Sequence, residues 1–150
     1  MKINQTQRHQ ITAIIDDVDD MTIATLRADG FPQATTVSYF NDGETIYFAT
    51  SPDAQKAENI AHNDRVSVTI NRPYKNWNEI EGLSIGAKAR RLTDPEDFQK
   101  ASELLLKKFP QAVEYADEST GDVSFFRLEP VVISILDYSK GFGHTELVEC

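Results

Sequence analysis

The sequence is poor in cysteine, in long apolar runs, in positive charge and in catalytic signatures. Its one cysteine, Cys150, is the last residue, so no disulfide can close within the chain. A cytoplasmic location is the default expectation from that usage. No stretch approaches the ~20 consecutive apolar residues of a spanning helix, and MKINQTQRHQ has no apolar signal core, so no membrane partner is expected. Lys and Arg number 15 against 24 Asp and Glu, a formal net charge of −9. That balance argues against nucleic acid, whose binding needs a cationic surface. It does not exclude a phosphorylated small molecule: salt screens charges beyond ~10 Å, and one local lysine with backbone amides can outweigh a distant acidic surface. The three histidines, His9, His62 and His144, share no metal-ligand spacing, which gives zinc or haem ligation little support. G-x-S-x-G, P-loop and Rossmann glycine patterns are absent, and Gly141-Phe142-Gly143 does not lead from a strand into a helix.

What is present suits one soluble domain. The 150 residues are 40% hydrophobic and 26% charged, enough for a single sizeable core. Residues 1–150 read as one domain: helix 1–20, barrel 21–138, tail 139–150. In the opening helix Ile11, Ile14, Ile15 and Val18 form one stripe. Asp16, Asp17, Asp19 and Asp20 crowd its C-terminal end; a solvated helix end is expected there rather than a metal site. Strands are expected at 22–28, 33–40, 45–50, 65–70, 80–92, 123–128 and 131–138. Asp29-Gly30 and Asn41-Asp42-Gly43 supply turns, with Gly43 available for positive φ. Gly82 and Gly86 inside the long strand predict a bulge or a close approach. Thr93-Asp94-Pro95-Glu96 opens a helix, Lys107 and Lys108 complement its dipole, and Pro110 stops it. Residues 111–122 read as a short helical turn and loop. Six or seven strands at hairpin spacing with few helices predict a mainly β, α+β fold: an antiparallel split barrel with peripheral helices.

The chain is organised around residues 32–65. Two strands end at Ser51-Pro52-Asp53, which reads as a helix start with Ser51 as N-cap, Pro52 in the first turn and Asp53 at the positive dipole end. Gln55 and Lys56 follow. Free amides, hydroxyls and one lysine suit a phosphate. Behind them Ala54, Ala57 and Ala61 make a thin small-residue stripe. Thr36 and Ser38 share a strand face with Ala34 and Phe40, and that face suits a flat polar ring.

The ordered segments TIATLRADGFPQATTVSYF, IYFATSPDAQKAENIAHNDRVSV and GLSIGAKARRLTDPED resemble the pyridoxamine 5′-phosphate oxidase-like, FMN-binding split-barrel proteins over about residues 20 to 137. The resemblance implies a barrel that dimerises, with FMN at the interface. It implies cofactor contacts from Ala34, Thr35, Thr36, Val37 and Ser38, from Ala49, Thr50 and Ser51, and from Gln55 and Lys56. Trp77 is either a core or interface aromatic or stacks at the flavin edge from the second subunit. The true oxidase has arginine where this chain has Ala34, lysine where it has Tyr39, and arginine where it has Gln55. Oxidation of pyridoxamine phosphate is therefore not implied. The reading is an FMN-dependent oxidoreductase acting on a small-molecule substrate, with NAD(P)H as an electron donor and no side-chain acid or base required. A non-catalytic carrier of flavin, haem or F420, or a stress-associated protein, is the alternative, and a purely structural barrel the third.

Overall fold

The computed structural model describes residues 2–116 and 123–150. The element order is α1 (Gln5–Asp17), β1 (Asp20–Leu26), β2 (Pro32–Ser38), β3 (Phe40–Asp42), β4 (Thr45–Thr50), α2 (Gln55–His62), β5 (Arg65–Asn71), β6 (Glu81–Arg91), α3 (Pro95–Lys108), α4 (Ala112–Ala116), β7 (Ser124–Asp137) and β8 (Thr145–Glu149), with 3-10 turns at Trp77–Glu79 and Tyr138–Lys140. One antiparallel sheet runs β2-β1-β5-β6-β7-β4-β3, and β8 also pairs with β7. The two ends of that order, β2 and β3, are joined by a single residue, Tyr39. The sheet therefore curls until its edges meet without pairing, which is the split of the expected split barrel.

Inside, alternation decides which residues are buried. Val66, Val68 and Ile70 of β5 and Leu83, Ile85, Ala87 and Ala89 of β6 face the core. The stripe Ile11, Ile14 and Ile15 of α1 is 0% exposed and packs into the same core. Asn4 and Gln7 close a reciprocal capping box at its start. Gln10 ties the helix down by donating from Nε2 to Glu81 and Asp137, both at 2.9 Å. The acidic end of α1 is partly engaged: Asp16 accepts from Asn41 at 2.7 Å, Asp17 from Arg72 at 2.7 Å and Asp20 from Ser38 at 3.0 Å. Among the described residues no acidic, histidine or cysteine group is arranged to hold a metal.

Several boundaries differ from the sequence reading. The expected strand 33–40 is two strands. β2 pairs with β1 along its whole length, while Phe40–Asp42 pairs with β4 across a two-residue Gly43-Glu44 loop. Only Gly43 has positive φ there, +61°, the type II′ pattern. Consecutive burial of Tyr39 and Phe40 breaks the period of two, because the chain passes from one sheet edge to the other. The two last strands are one, Ser124–Asp137. Glu129-Pro130 does not interrupt it, because the register shifts beside Gly86 and Ala87 and a bulge accommodates the proline. A bulge was expected from Gly86, where a Cβ would lie 2.9 Å from Val132 Cγ1. Part of the expected tail is β8, whose Val148 is buried. α4 supplies the helical turn expected after residue 111; the rest of that segment, 117–122, lies outside the described residues.

Candidate functional site

The corner after β4 is built by a turn and then a helix. The Ala54 N–H donates to the Ser51 carbonyl at 3.0 Å, and the Asp53 N–H to Ser51 Oγ at 3.3 Å. Ser51 therefore caps a turn. The expected N-cap role falls instead to Ala54, with extended backbone and no side-chain cap. The reason is that a full turn intervenes, so Pro52 and Asp53 lie before the helix. α2 starts at Gln55, which puts Lys56 in the first turn, where the opening amides have no intrahelical acceptor. Lys56 is half-buried, and among the described residues it takes part in no ion pair.

The helix is fastened by a buried amide. Asn59 is 1% exposed and Thr25 2%. Asn59 Nδ2 donates to Thr25 Oγ1 at 2.9 Å and to Gln33 Oε1 at 3.2 Å, while Gln55 Nε2 donates to Asn59 Oδ1 at 2.9 Å. Gln55 thus supports the helix as well as flanking Lys56. The stripe expected from Ala54, Ala57 and Ala61 is not the buried face: Asn59 and Ile60 are, and Ala61 is exposed. Asn59 was not singled out from the sequence. A polar residue placed between Ala57 and Ile60 is the signal that could have found it.

On β2, Ala34, Thr36 and Ser38 face outward and are exposed, and Gln33, Thr35 and Val37 face inward. Phe40, expected on the face of Thr36, is 2% exposed and packs instead with Tyr47, Leu92, Ala101 and Phe125. Thr35 Oγ1 is buried and has no partner among the described residues. Val37, Ser38 and Ala49 line one cavity of about 280 Å³ with Phe40, Leu105 and Phe109. The structure therefore brings β2, β4 and α3 together at one place, and α2 to the Thr25–Gln33 end of the same strands. Thr50 is half-buried beside them, opposite Ser124.

Trp77 is elsewhere. It is 64% exposed and stands 5.7 Å from Phe142, itself 78% exposed. It follows Arg72, which bonds Asp17, so its loop belongs to the opposite end of β1 and β2 from α2. Within one chain Trp77 does not join Lys56.

Where the resemblance to the true oxidase implies a lysine, this chain has a core residue. Tyr39 is 0% exposed and donates its hydroxyl to the Ile15 carbonyl at 2.7 Å. Burial, and then the carboxylates of Asp19, Asp16, Asp17 and Asp20, hold its phenol well above the usual range. Lys108 Nζ lies 3.8 Å from the Tyr39 ring centroid and donates to the Val18 carbonyl at 2.7 Å. Burial lowers the Lys108 ammonium from its ordinary value, against the carboxylates of Asp19, Asp16 and Asp20.

Comparison with solved structures gives the same architecture. A haem binding protein from Mycobacterium smegmatis superposes with a TM-score of 0.78 at 22% identity, over 99% of this chain and 59% of its own. ChuZ from Campylobacter jejuni gives 0.80 at 15%, over 99% and 61%. HutZ, described as a haem storage protein, from Vibrio cholerae, gives 0.69 at 19%, over 87% and 91%. This chain thus spans about three fifths of the length of the first two. At these identities the likeness is one of fold. A comparison with curated proteins finds no match. The sequence matches the family model described as pyridoxamine 5′-phosphate oxidase over residues 8–137, and the chain belongs to that family.

Proposed function

We propose that the protein is an FMN-dependent oxidoreductase of the pyridoxamine 5′-phosphate oxidase-like type, acting as a homodimer on a small-molecule substrate other than pyridoxamine phosphate. The observation that carries this reading is the cationic corner: a half-buried Lys56 without a carboxylate partner among the described residues, beside the unspent first amides of α2. These groups suit a phosphate. The unpartnered Thr35 hydroxyl and the cavity walled by Val37, Ser38 and Ala49 suit a ring with polar edges, so the residues present fit the flavin.

The bound flavin would supply the redox chemistry. The protein's part is to bind and orient. Lys56, Ser51 and the neighbouring amides hold the anionic end, with Gln55 fixing the helix through Asn59. Thr36 and Ser38 of the outward face of β2 offer hydroxyls to the polar edges with Thr50, and Thr35 offers its own from the inward face that it shares with Val37. Leu105 and Phe109 exclude water from one side. A cavity of about 280 Å³ falls just below the ~300–1,000 Å³ of small-molecule sites. One chain thus offers one wall, which favours a site completed by a second copy, with Trp77 delivered from that copy. An NAD(P)H donor belongs to this reading through the cofactor class. The buried Tyr39, where the resemblance implies a lysine in the true oxidase, supports a substrate different from pyridoxamine phosphate.

Titration of the flavin-free protein with FMN and with riboflavin, followed by fluorescence, tests the reading. Lys56→Ala should weaken FMN by about ten- to a hundredfold, the loss of one charge-assisted hydrogen bond, and leave riboflavin unchanged. No FMN binding at tens of micromolar ends the proposal.

Haem is the second reading, supported by the names of two neighbours. His144 is the half-buried histidine, yet its Nε2 is covered and lies 3.8 Å from the Glu146 carboxylate. Nε2 is therefore not open to iron in this arrangement. A haemin Soret band shifted in the wild type and restored to that of free haemin by His144→Ala would favour haem over flavin.

A further inference from the structure

A second cleft opens beneath α2, on the side away from Asn59. It has a volume of about 270 Å³, and its lining includes Ala57, Ala61, Phe126, Ser124 and Arg91. Of the corner described above only Pro52 also lines it; Ser51, Gln55 and Lys56 do not. The small side chains Ala57 and Ala61 leave the space, and Phe126, stacked on Phe48 at 5.1 Å, forms a flat apolar wall. Ser124 lies two residues before Phe126 on β7, on the same strand face. It is 2% exposed, and its Oγ has no hydrogen-bond partner among the described residues. A buried hydroxyl without a partner costs about 1–3 kcal/mol, so its presence beside an open apolar cleft points to a ligand atom.

The rim sets the charge. Arg91 stands opposite Phe126 in the ladder and takes part in no ion pair among the described residues. Arg90 lines the cleft too but is 4.0 Å from Asp97, and Glu58 adds a carboxylate. One uncommitted guanidinium beside one carboxylate suits a monoanion better than a phosphate dianion, and its planar fork matches a carboxylate. We propose that this cleft binds a small aromatic monocarboxylate, with its ring on Phe126 and Ala61, its carboxylate on Arg91 and a hydrogen bond to Ser124 Oγ. The site is independent of the flavin reading and is tested without flavin.

The experiment is a titration of the flavin-free full chain with benzoate, benzyl alcohol and phenyl phosphate, followed by amide chemical shifts. Benzoate is expected to shift the amides of Ala57, Ala61, Arg91 and Ser124 saturably, with millimolar affinity. Arg91→Gln should weaken it at least about tenfold, the loss of one charge-assisted contact. Ala61→Leu, at an exposed helix position, should abolish binding by filling the cleft while leaving the melting temperature unchanged. Ser124→Ala should weaken benzoate and raise the melting temperature, because it removes an unpartnered buried hydroxyl. No saturable shift at these amides, affinity unchanged in Arg91→Gln, or tighter binding of benzyl alcohol or phenyl phosphate than of benzoate would each overturn the proposal.

Discussion

At Asn59 a single amide joins α2 to β1 and β2, through Thr25 and Gln33. Removing it strands two polar groups in a buried setting, so Asn59→Ala should destabilise by about 1–3 kcal/mol and weaken FMN as the helix start loosens. Urea unfolding checks the first; a loss below about 0.5 kcal/mol would mean that the site collapses or hydrates without cost. Tyr39 gives a pH signature. Its phenol is held above its ordinary value of about 10 in the fold. A group with a raised folded pKa contributes stability that is whole below the unfolded value and is lost as pH rises toward the folded one. Stability should therefore fall above about pH 10 from this residue, because the unfolded chain releases the proton and the fold does not. Lys108 acts with the opposite sign: its lowered value makes stability rise with pH in the range just below the ordinary lysine pKa. Tyr39→Phe should cost about 1 kcal/mol at neutral pH for the lost bond to Ile15 and flatten the fall above pH 10. Denaturant midpoints at pH 8 and pH 10.5 check it.

At the scale of elements, β6 and β7 are the spine, paired from Glu81–Asp137 to Arg91–Phe126 with one register shift. The shift lets Pro130 lie in a strand that is otherwise continuous, and it rests on the space at Gly86. Gly86→Ala would put a Cβ 2.9 Å from Val132 Cγ1, inside van der Waals contact, and should cost about 1–3 kcal/mol by overpacking. If that contact is the cause, the same change made in a Val132→Ala background should cost much less. A double-mutant cycle measures the coupling, and additive effects would place the strain in the backbone. The helices differ in how they attach. α1 inserts an isoleucine stripe into the core, whereas α2, of eight residues, is too short to be stable alone. It depends on Asn59, Ile60 and the sheet beneath it.

At the scale of the whole molecule, the exposed aromatics Trp77 and Phe142 and the half-formed cavity between β2, β4 and α3 are features that a second copy would complete. Light scattering should give twice the 16.9 kDa of one chain. A mass of one chain at all concentrations would remove the shared-site proposal. Trp77 is the sole tryptophan, so its fluorescence would report on the proposed seam: FMN should quench it in the wild type, and Lys56→Ala should move the quenching to higher FMN concentration. Quenching that follows riboflavin and FMN equally in both proteins would detach Lys56 from the site.

The sequence by itself determined most of the strand pattern, the isoleucine stripe of α1 and the placing of Lys56 in a first helical turn, because each is local: a period of two or 3.6, a turn glycine, a lysine near a helix start. The bulge expected from Gly86 is present, and the α1 stripe is buried as its spacing implies. Only the tertiary structure decided where strand 33–40 divides, that Pro130 lies inside a strand, that the segment after His144 forms an eighth strand, and that Ser51 caps a turn while Ala54 starts the helix. Those outcomes depend on partners distant in sequence. Tyr39 is buried because two sheet edges meet there, and Pro130 is tolerated because β6 shifts register opposite it. Trp77 and Lys56 face different ends of one barrel because the ladder, and no local pattern, fixes their separation.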